Sequence, residues 1–267
     1  MPRGVARTLL HLDCHVIDLH SHLLPGVDDG SPTHENSVRV LDRMWSEGVK
    51  QLACTPHLNA SVASAAPIAE YQVLLERLRA DAPRGMTLHS GFEIMLDAFA
   101  DLSLPGLGLG GSKAVLVEFQ RIPLSADSTD ALMRIRASGM IPVIAHPERY
   151  QGITIDKLHI WRDFGTIVQG DALLLLSTGS RAEFSRLMLT EGVADILASD
   201  NHGDSRSLAT VRAWLKEVGG ERHAEILMDE NPRHILEDEM LEAVPSLREN
   251  KSIWDRLREL FSVGRSS

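Results

Sequence analysis

Residues 114–119 read Ala114-Val-Leu-Val-Glu-Phe119. An unbroken apolar run, as opposed to an alternating one, suits a parallel strand covered on both faces, and this run ends in a carboxylate, Glu118. The same pattern recurs on either side. Toward the carboxyl terminus, a helix-period segment at 131–138 stops at Gly139. A short strand at 142–145 follows it, then a helix at 155–164, a strand at 166–169, a helix at 182–190, a strand at 195–199 and a helix at 208–218. Toward the amino terminus lie strands at 87–92, 51–55 and 16–19, separated by helices at 68–80 and 36–47. The helix at 36–47 places Val38, Leu41, Met44 and Trp45 on one face, and Gly48 ends it.

Repeated strand–helix alternation predicts a parallel sheet. About seven strands in a chain of 267 residues favour a distorted (β/α)7 TIM-like barrel of a single α/β domain. That unit is expected over residues 1–245. Residues 246–267 form a tail in which Ile253, Trp254, Leu257, Leu260 and Phe261 share one face of an amphipathic helix at 252–263. A loop at 102–112 carries Pro105 and four glycines and is expected to be flexible; it lacks the Lys-Ser/Thr of a phosphate-cradling loop.

Composition narrows the class of function. The net charge of -10 opposes binding to a phosphate backbone, so no nucleic-acid partner and no nuclease activity are expected. No apolar run approaches the ~20 residues that cross a bilayer, and residues 1–12, which lack a proper apolar core and a small-residue cleavage site, are not expected to be a signal peptide. A cytoplasmic enzyme follows as the expectation. The two cysteines are too few for a disulfide framework. A cysteine-dependent tyrosine phosphatase needs Arg six positions after its Cys; Ala60 stands there for Cys54 and His20 for Cys14.

Twelve histidines are unusual in a chain that is only 4% aromatic, and their positions are informative. His20 and His22 follow the first strand two residues apart, a spacing that turns both imidazoles to one side of an extended chain. His57 follows the second strand and Glu93 the third. Glu118 ends the fourth, His146 the fifth, and Asp200 and His202 end the last. Each is at the carboxyl end of a strand, where α/β barrels build active sites. Any one of these residues alone would be structural or on the surface; as a set they point to a metal site. Imidazole and carboxylate without thiolate suit zinc, manganese or iron. On the loop Asp28-Asp29-Gly30, one carboxylate can reach the cluster while the other caps a turn. Arg149 and Arg206 each lie shortly beyond a ligand and suit phosphate, which a guanidinium grips through paired hydrogen bonds.

Taken together, His20-Ser-His-Leu-Leu-Pro-Gly-Val-Asp-Asp-Gly30, Thr55-Pro-His57, Glu93, Leu116-Val-Glu118, His146-Pro-Glu-Arg149 and Ser199-Asp-Asn-His202 resemble the polymerase-and-histidinol-phosphatase (PHP) superfamily. Within it they resemble the bacterial manganese-dependent protein-tyrosine phosphatases of capsule and exopolysaccharide clusters. The resemblance implies three divalent ions, manganese foremost, with zinc and iron as alternatives. It implies His20, His22, Glu93 and Asp200 on one ion, Glu93, Glu118 and His146 on a second, and Asp29, His57 and His202 on a third, with Arg149 and Arg206 on the phosphate. Asp29 in place of Asp28 follows the register of the family motif. The sequence departs from the pattern at Leu58, where a second His is usual, and after Gln169. There it reads Gly170-Asp171-Ala172 in place of an Asn and a Ser-Leu-Gly pattern.

Three divalent ions against four carboxylates (Asp29, Glu93, Glu118 and Asp200) leave two positive charges, which match a phosphate dianion. Coordination can lower the pKa of water to ~7 and make hydroxide available at neutral pH as the nucleophile. The implied substrate is a phosphotyrosine protein, foremost a tyrosine autokinase, and a homo-oligomer is compatible with the pattern. A small-molecule phosphatase acting on histidinol phosphate would share every ligand, and a non-catalytic metal-binding regulator of a kinase would share them without turnover.

Overall fold

The computed structural model describes residues 15–120, 124–125 and 127–247. The amphipathic helix expected at 252–263 and the segment at 1–12 lie outside them.

The described residues contain nine strands: β1 (Val16–Ser21), β2 (Val49–Cys54), β3 (His57–Asn59), β4 (Thr87–Ser90), β5 (Glu93–Met95), β6 (Ala114–Glu118), β7 (Ile141–Ala145), β8 (Ile167–Asp171) and β9 (Ile196–Ala198). Every pairing is parallel, in one sheet of order β1-β2-β4 and a second of order β3-β5-β6-β7-β8-β9. The expected count of about seven differs from nine because two strands are interrupted. β2 breaks at Thr55-Pro56 before β3, and β4 breaks at Gly91-Phe92 before β5; nine less these two interruptions is seven. Hydrogen bonding continues across both gaps, from Thr55 N–H to Ser21 O at 2.7 Å and from Glu93 N–H to Pro56 O at 3.1 Å. Pro56 has no N–H to give a ladder. At Gly91 a Cβ would lie 2.8 Å from Leu109 Cδ2 and 3.3 Å from Thr55 Cγ2, so a larger residue there would require Leu109 to shift. Both breaks start new strands on residues of the cluster, His57 and Glu93.

Helices α1 (His34–Ser46), α2 (Ile68–Asp81), α3 (Ser128–Ala137), α4 (Ile155–Asp163), α5 (Ala172–Leu175), α6 (Ser180–Thr190) and α7 (Leu208–Glu217) connect successive strands or follow β9. Thr33 caps α1 by accepting from Asn36 N–H, and Gly48 after its end takes φ 101°. Residues 221–236, which were not expected to be helical, form α8 (Glu221–Glu225), a π-helical stretch (Ile226–Glu230) and α9 (Asn231–Leu236). The loop at 102–112 is not the free segment its glycines suggest, since Leu102, Leu107 and Leu109 are buried in it.

The larger apolar cluster includes Val115, Val117, Ile144 and Val168, with Leu41, Leu75, Leu132, Leu158 and Leu215 from the helices. A smaller one takes the alternate residues Leu116, Val143, Ala145, Ile167 and Ile196. The period of two continues up the strands, so Glu118 follows Leu116 and Gln169 follows Ile167 on the same side. The polar residues at the carboxyl ends thus rest on a floor of branched side chains. No helix among the described residues is long and apolar enough to cross a membrane.

Candidate metal centre

β1 delivers His20 and His22, both fully buried, to the end where β9 gives way to Asp200. The two chains are tied there by backbone bonds, His22 N–H to Asn201 O at 2.8 Å and Asp200 N–H to His20 O at 3.1 Å. Asp200 adopts φ 48° and His146, just after β7, φ 31°. A left-handed backbone at a residue other than glycine costs on the order of 1–3 kcal/mol and collects at functional sites. In both cases the turn places a side chain in the cluster.

The central fact is how the imidazoles face one another. His20 Nδ1 donates to Gln169 Oε1 at 2.9 Å, and His22 Nδ1 donates to Asp28 Oδ2 at 2.7 Å. Each ring therefore turns Nε2 inward, and the two Nε2 atoms stand 3.2 Å apart. Asp200 Oδ1 lies 3.3 Å from both, and Glu93 Oε2 lies 3.4 Å from one and 3.3 Å from the other. Four acceptors meeting without a donor between them require a positive charge, either a proton or a metal ion. The protonation balance shows the same demand: burial pushes His20 down, but Glu93 and Asp200 outweigh it and hold it at about 9. Glu93 stays well below the usual carboxylate range in spite of burial, because His20 and His146 face it. The donor set, imidazole and carboxylate, fits divalent ions of the manganese–zinc series.

Three groups of donor atoms lie within 4.8 Å of one another: His20, His22, Glu93 and Asp200; His57, Glu93 and Glu118; and His22, Asp29, His57 and His202. The first matches the implied first set. The second brings in His57 where the resemblance implies His146; His146 Nε2 is 2.7 Å from Glu93 Oε1 and 3.9 Å from Glu118 Oε2. The third holds the implied Asp29, His57 and His202 and adds His22. The groups differ in exposure: Asp29 is 72% exposed and His57 39%, against 0–2% for the side chains of the first group. All nine expected residues thus come to one place.

The adjacent aspartates divide two tasks. Asp28 orients His22 and also accepts from Gly30 N–H at 3.0 Å and His57 N–H at 3.2 Å. Asp29 turns to the open side, its Oδ1 3.3 Å from His57 Nε2 and 3.6 Å from His202 Nε2. The arginines converge on the far oxygen of Asp200: Arg149 Nη2 reaches Oδ2 at 2.6 Å and Arg206 Nη1 at 3.3 Å. One oxygen of Asp200 therefore faces the histidines and the other faces the arginines. Asn201, overlooked in the sequence, shapes the loop that carries His202 and Arg206. Its Oδ1 accepts from Gly203 N–H at 2.8 Å and its Nδ2 donates to Arg206 O at 2.8 Å. Gln169 and Asp28 were likewise not singled out as orienting groups. The available signal for Gln169 was a polar residue closing an apolar strand.

Comparison with known proteins gives a consistent picture. Residues 16–237 match the family described as capsular polysaccharide synthesis, CpsB/CapC. The chain is 27% identical to the tyrosine-protein phosphatase CpsB of Streptococcus pneumoniae over 85% of its own length and 100% of that protein. It is 26% identical to the putative tyrosine-protein phosphatase CapC of Staphylococcus aureus, covering 80% and 86% of the two chains. A solved chain from the crystal structures of YwqE from Bacillus subtilis and CpsB from Streptococcus pneumoniae, described as unique metal-dependent tyrosine phosphatases, superposes with a TM-score of 0.74 at 25% identity. It covers 86% of this chain and 98% of that one. A phosphotriesterase homology protein from Escherichia coli, complexed with phosphate in its active site, shares the fold at a TM-score of 0.52 and 11% identity, over 82% of this chain and 96% of that one.

Proposed function

We propose that this chain, which belongs to the CpsB/CapC family of capsular polysaccharide synthesis, is a metal-dependent protein-tyrosine phosphatase. The observation that carries this reading is the pair of inward Nε2 atoms of His20 and His22, 3.2 Å apart and flanked by Glu93 and Asp200. Four acceptors so placed call for a positive charge among them, and a divalent ion supplies it in a form that imidazole and carboxylate donors suit.

His20, His22, Glu93 and Asp200 would hold one ion, Glu93 and Glu118 with His146 or His57 a second, and Asp29, His57 and His202 a third. Manganese is the foremost candidate, with zinc and iron as alternatives. When bound, such ions polarise phosphoryl oxygens and lower the pKa of water toward ~7. The protein's own groups do the remaining work. Gln169 and Asp28 hold the two central imidazoles in one tautomer, as outer partners of metal ligands generally do. Arg149 and Arg206 stand beside Asp200 and would neutralise the phosphate's equatorial oxygens. The tyrosinate leaving group, of parent pKa ~10, departs with less protonation than an alkoxide needs.

The exposed rim of Asp29 and His57 favours a protein substrate, because a phosphorylated side chain carried on a surface can reach it. A phosphorylated tyrosine kinase of the same capsule system is the proposed partner, in the cytoplasm. The bonds that join β1 to the end of β9 support reading the two sheets as one distorted seven-run barrel.

The test is hydrolysis of a phosphotyrosine peptide by the manganese-loaded protein, its loss on chelation and its return with manganese. Histidinol phosphate serves as the competing substrate. Preference for histidinol phosphate would move the assignment to a small-molecule phosphatase. Metal bound in full stoichiometry with no turnover of either would leave the regulator.

A further inference from the structure

Arg149 sits beside the cluster with its side chain only 15% exposed. Part of what keeps it there is a residue that belongs to none of the donor groups. Asp171, at the end of β8, is anchored at three points. Its backbone N–H donates to Glu148 Oε1 at 2.7 Å, its Oδ1 caps α5 by accepting from Leu173 N–H at 2.8 Å, and its Oδ2 accepts from Arg149 Nη2. The second acceptor for the same nitrogen is Asp200 Oδ2. Among the described residues, the side-chain bonds of Arg149 all run through Nη2, which leaves its Nη1 and Nε protons for another ligand.

We propose that Asp171 is a positioning residue of the phosphate site: with Asp200 it fixes Arg149 by one nitrogen, so the guanidinium is aimed before substrate arrives. An arginine carries about 2 kcal/mol of rotamer entropy, and a side chain already held when the ligand binds avoids that ordering cost. The proposal rests on the reading that Arg149 grips the substrate phosphate. The competing role, a helix cap and nothing more, uses a different oxygen. Oδ1 serves the cap and Oδ2 serves the arginine, so one substitution separates them. In Asp171→Asn the amide oxygen can keep the cap, while its NH2 meets Arg149 donor to donor, so the Asp171 hold is lost and Asp200 Oδ2 alone retains Nη2.

The measurement is calorimetric binding of inorganic phosphate to the manganese-loaded full chain, alongside KM and kcat on a phosphotyrosine peptide. Loss of one charge-assisted hydrogen bond predicts that Asp171→Asn weakens phosphate binding and raises KM by about tenfold, with kcat much less affected and the melting temperature close to wild type. In an Arg149→Ala background the same substitution should have no further effect on phosphate binding. Phosphate affinity unchanged in Asp171→Asn, an equal loss with or without Arg149, or no phosphate binding by the wild type would each overturn the proposal. Phosphate binding does not depend on which ester is the substrate. A wild type that binds phosphate but hydrolyses no phosphotyrosine peptide would therefore end the functional reading while leaving Asp171 to be judged by the titration.

Discussion

Replacing Asp28 and Asp29 in turn by Asn separates two neighbouring carboxylates that sequence alone could not tell apart. Asp28 is linked to His22 Nδ1 at 2.7 Å, and His22 belongs to two of the three donor groups. A hydrogen bond to a charged partner contributes about 1.5–3 kcal/mol, which corresponds to roughly one to two powers of ten in an equilibrium constant. The same range, about 10–100-fold, is typical for losing an outer partner of a metal ligand. Asp28→Asn should therefore weaken the tightest-bound manganese by about that factor, because the amide carries no charge to strengthen His22 as a ligand and has one acceptor oxygen where the carboxylate serves both His22 Nδ1 and Gly30 N–H. Asp29 is 72% exposed and touches only the outer group. Asp29→Asn should lower the stoichiometry by one ion and leave the affinity of the rest unchanged. The assay is elemental analysis after dialysis, with a competing chelator to rank affinities. If Asp28→Asn keeps wild-type affinity, or Asp29→Asn empties the whole cluster, the assigned division is wrong.

Other consequences are open to direct measurement. Arg149→Ala removes a guanidinium from the site and should cut kcat/KM by about two to three powers of ten, the range seen when a preorganised donor to a developing charge is lost; Arg206→Ala, more exposed and already shared with Asp204, should cost less. Burial pushes the Cys54 thiol up to about 12, so alkylation should leave peptide hydrolysis intact, as intact mass and residual activity together would show. Burial, and then Arg79, hold His89 below its ordinary value, and its Nε2 donates to Gln51 Oε1 at 2.8 Å. Its folded pKa lies under the unfolded value of ~6.5, so its contribution to stability is complete above about pH 6.5 and is lost as pH falls through the folded value. His89→Gln should flatten that acid limb in a series of melting curves, and an unchanged limb would show that another group controls it.

Much of this molecule was legible from local pattern. Runs such as 114–119 and 142–145, with helices of period 3.6 between them, announced a parallel α/β fold, because covered strands must be apolar on both faces. The position of His20, Glu93, Glu118, His146 and Asp200 at strand ends, and the pairs at i and i+2, announced the cluster, because strand geometry carries side-chain direction. Gly48 and Gly139 marked helix ends that the structure confirms with φ of 101° and 90°.

Other features required the tertiary structure. Which of Asp28 and Asp29 turns inward depends on a loop closing over His22. The choice of Gln169 as partner to His20, 149 residues away, depends on β1 and β8 meeting across the site. The strand breaks at Thr55-Pro56 and Gly91-Phe92 read as loop ends, since nothing local reveals that hydrogen bonding resumes beyond them. The hold of Asp171 on Arg149 is of the same kind. Periodicity and spacing report what a residue does to its own backbone, whereas the partner of a buried polar atom is set by whichever distant segment the fold brings within about 3 Å of it.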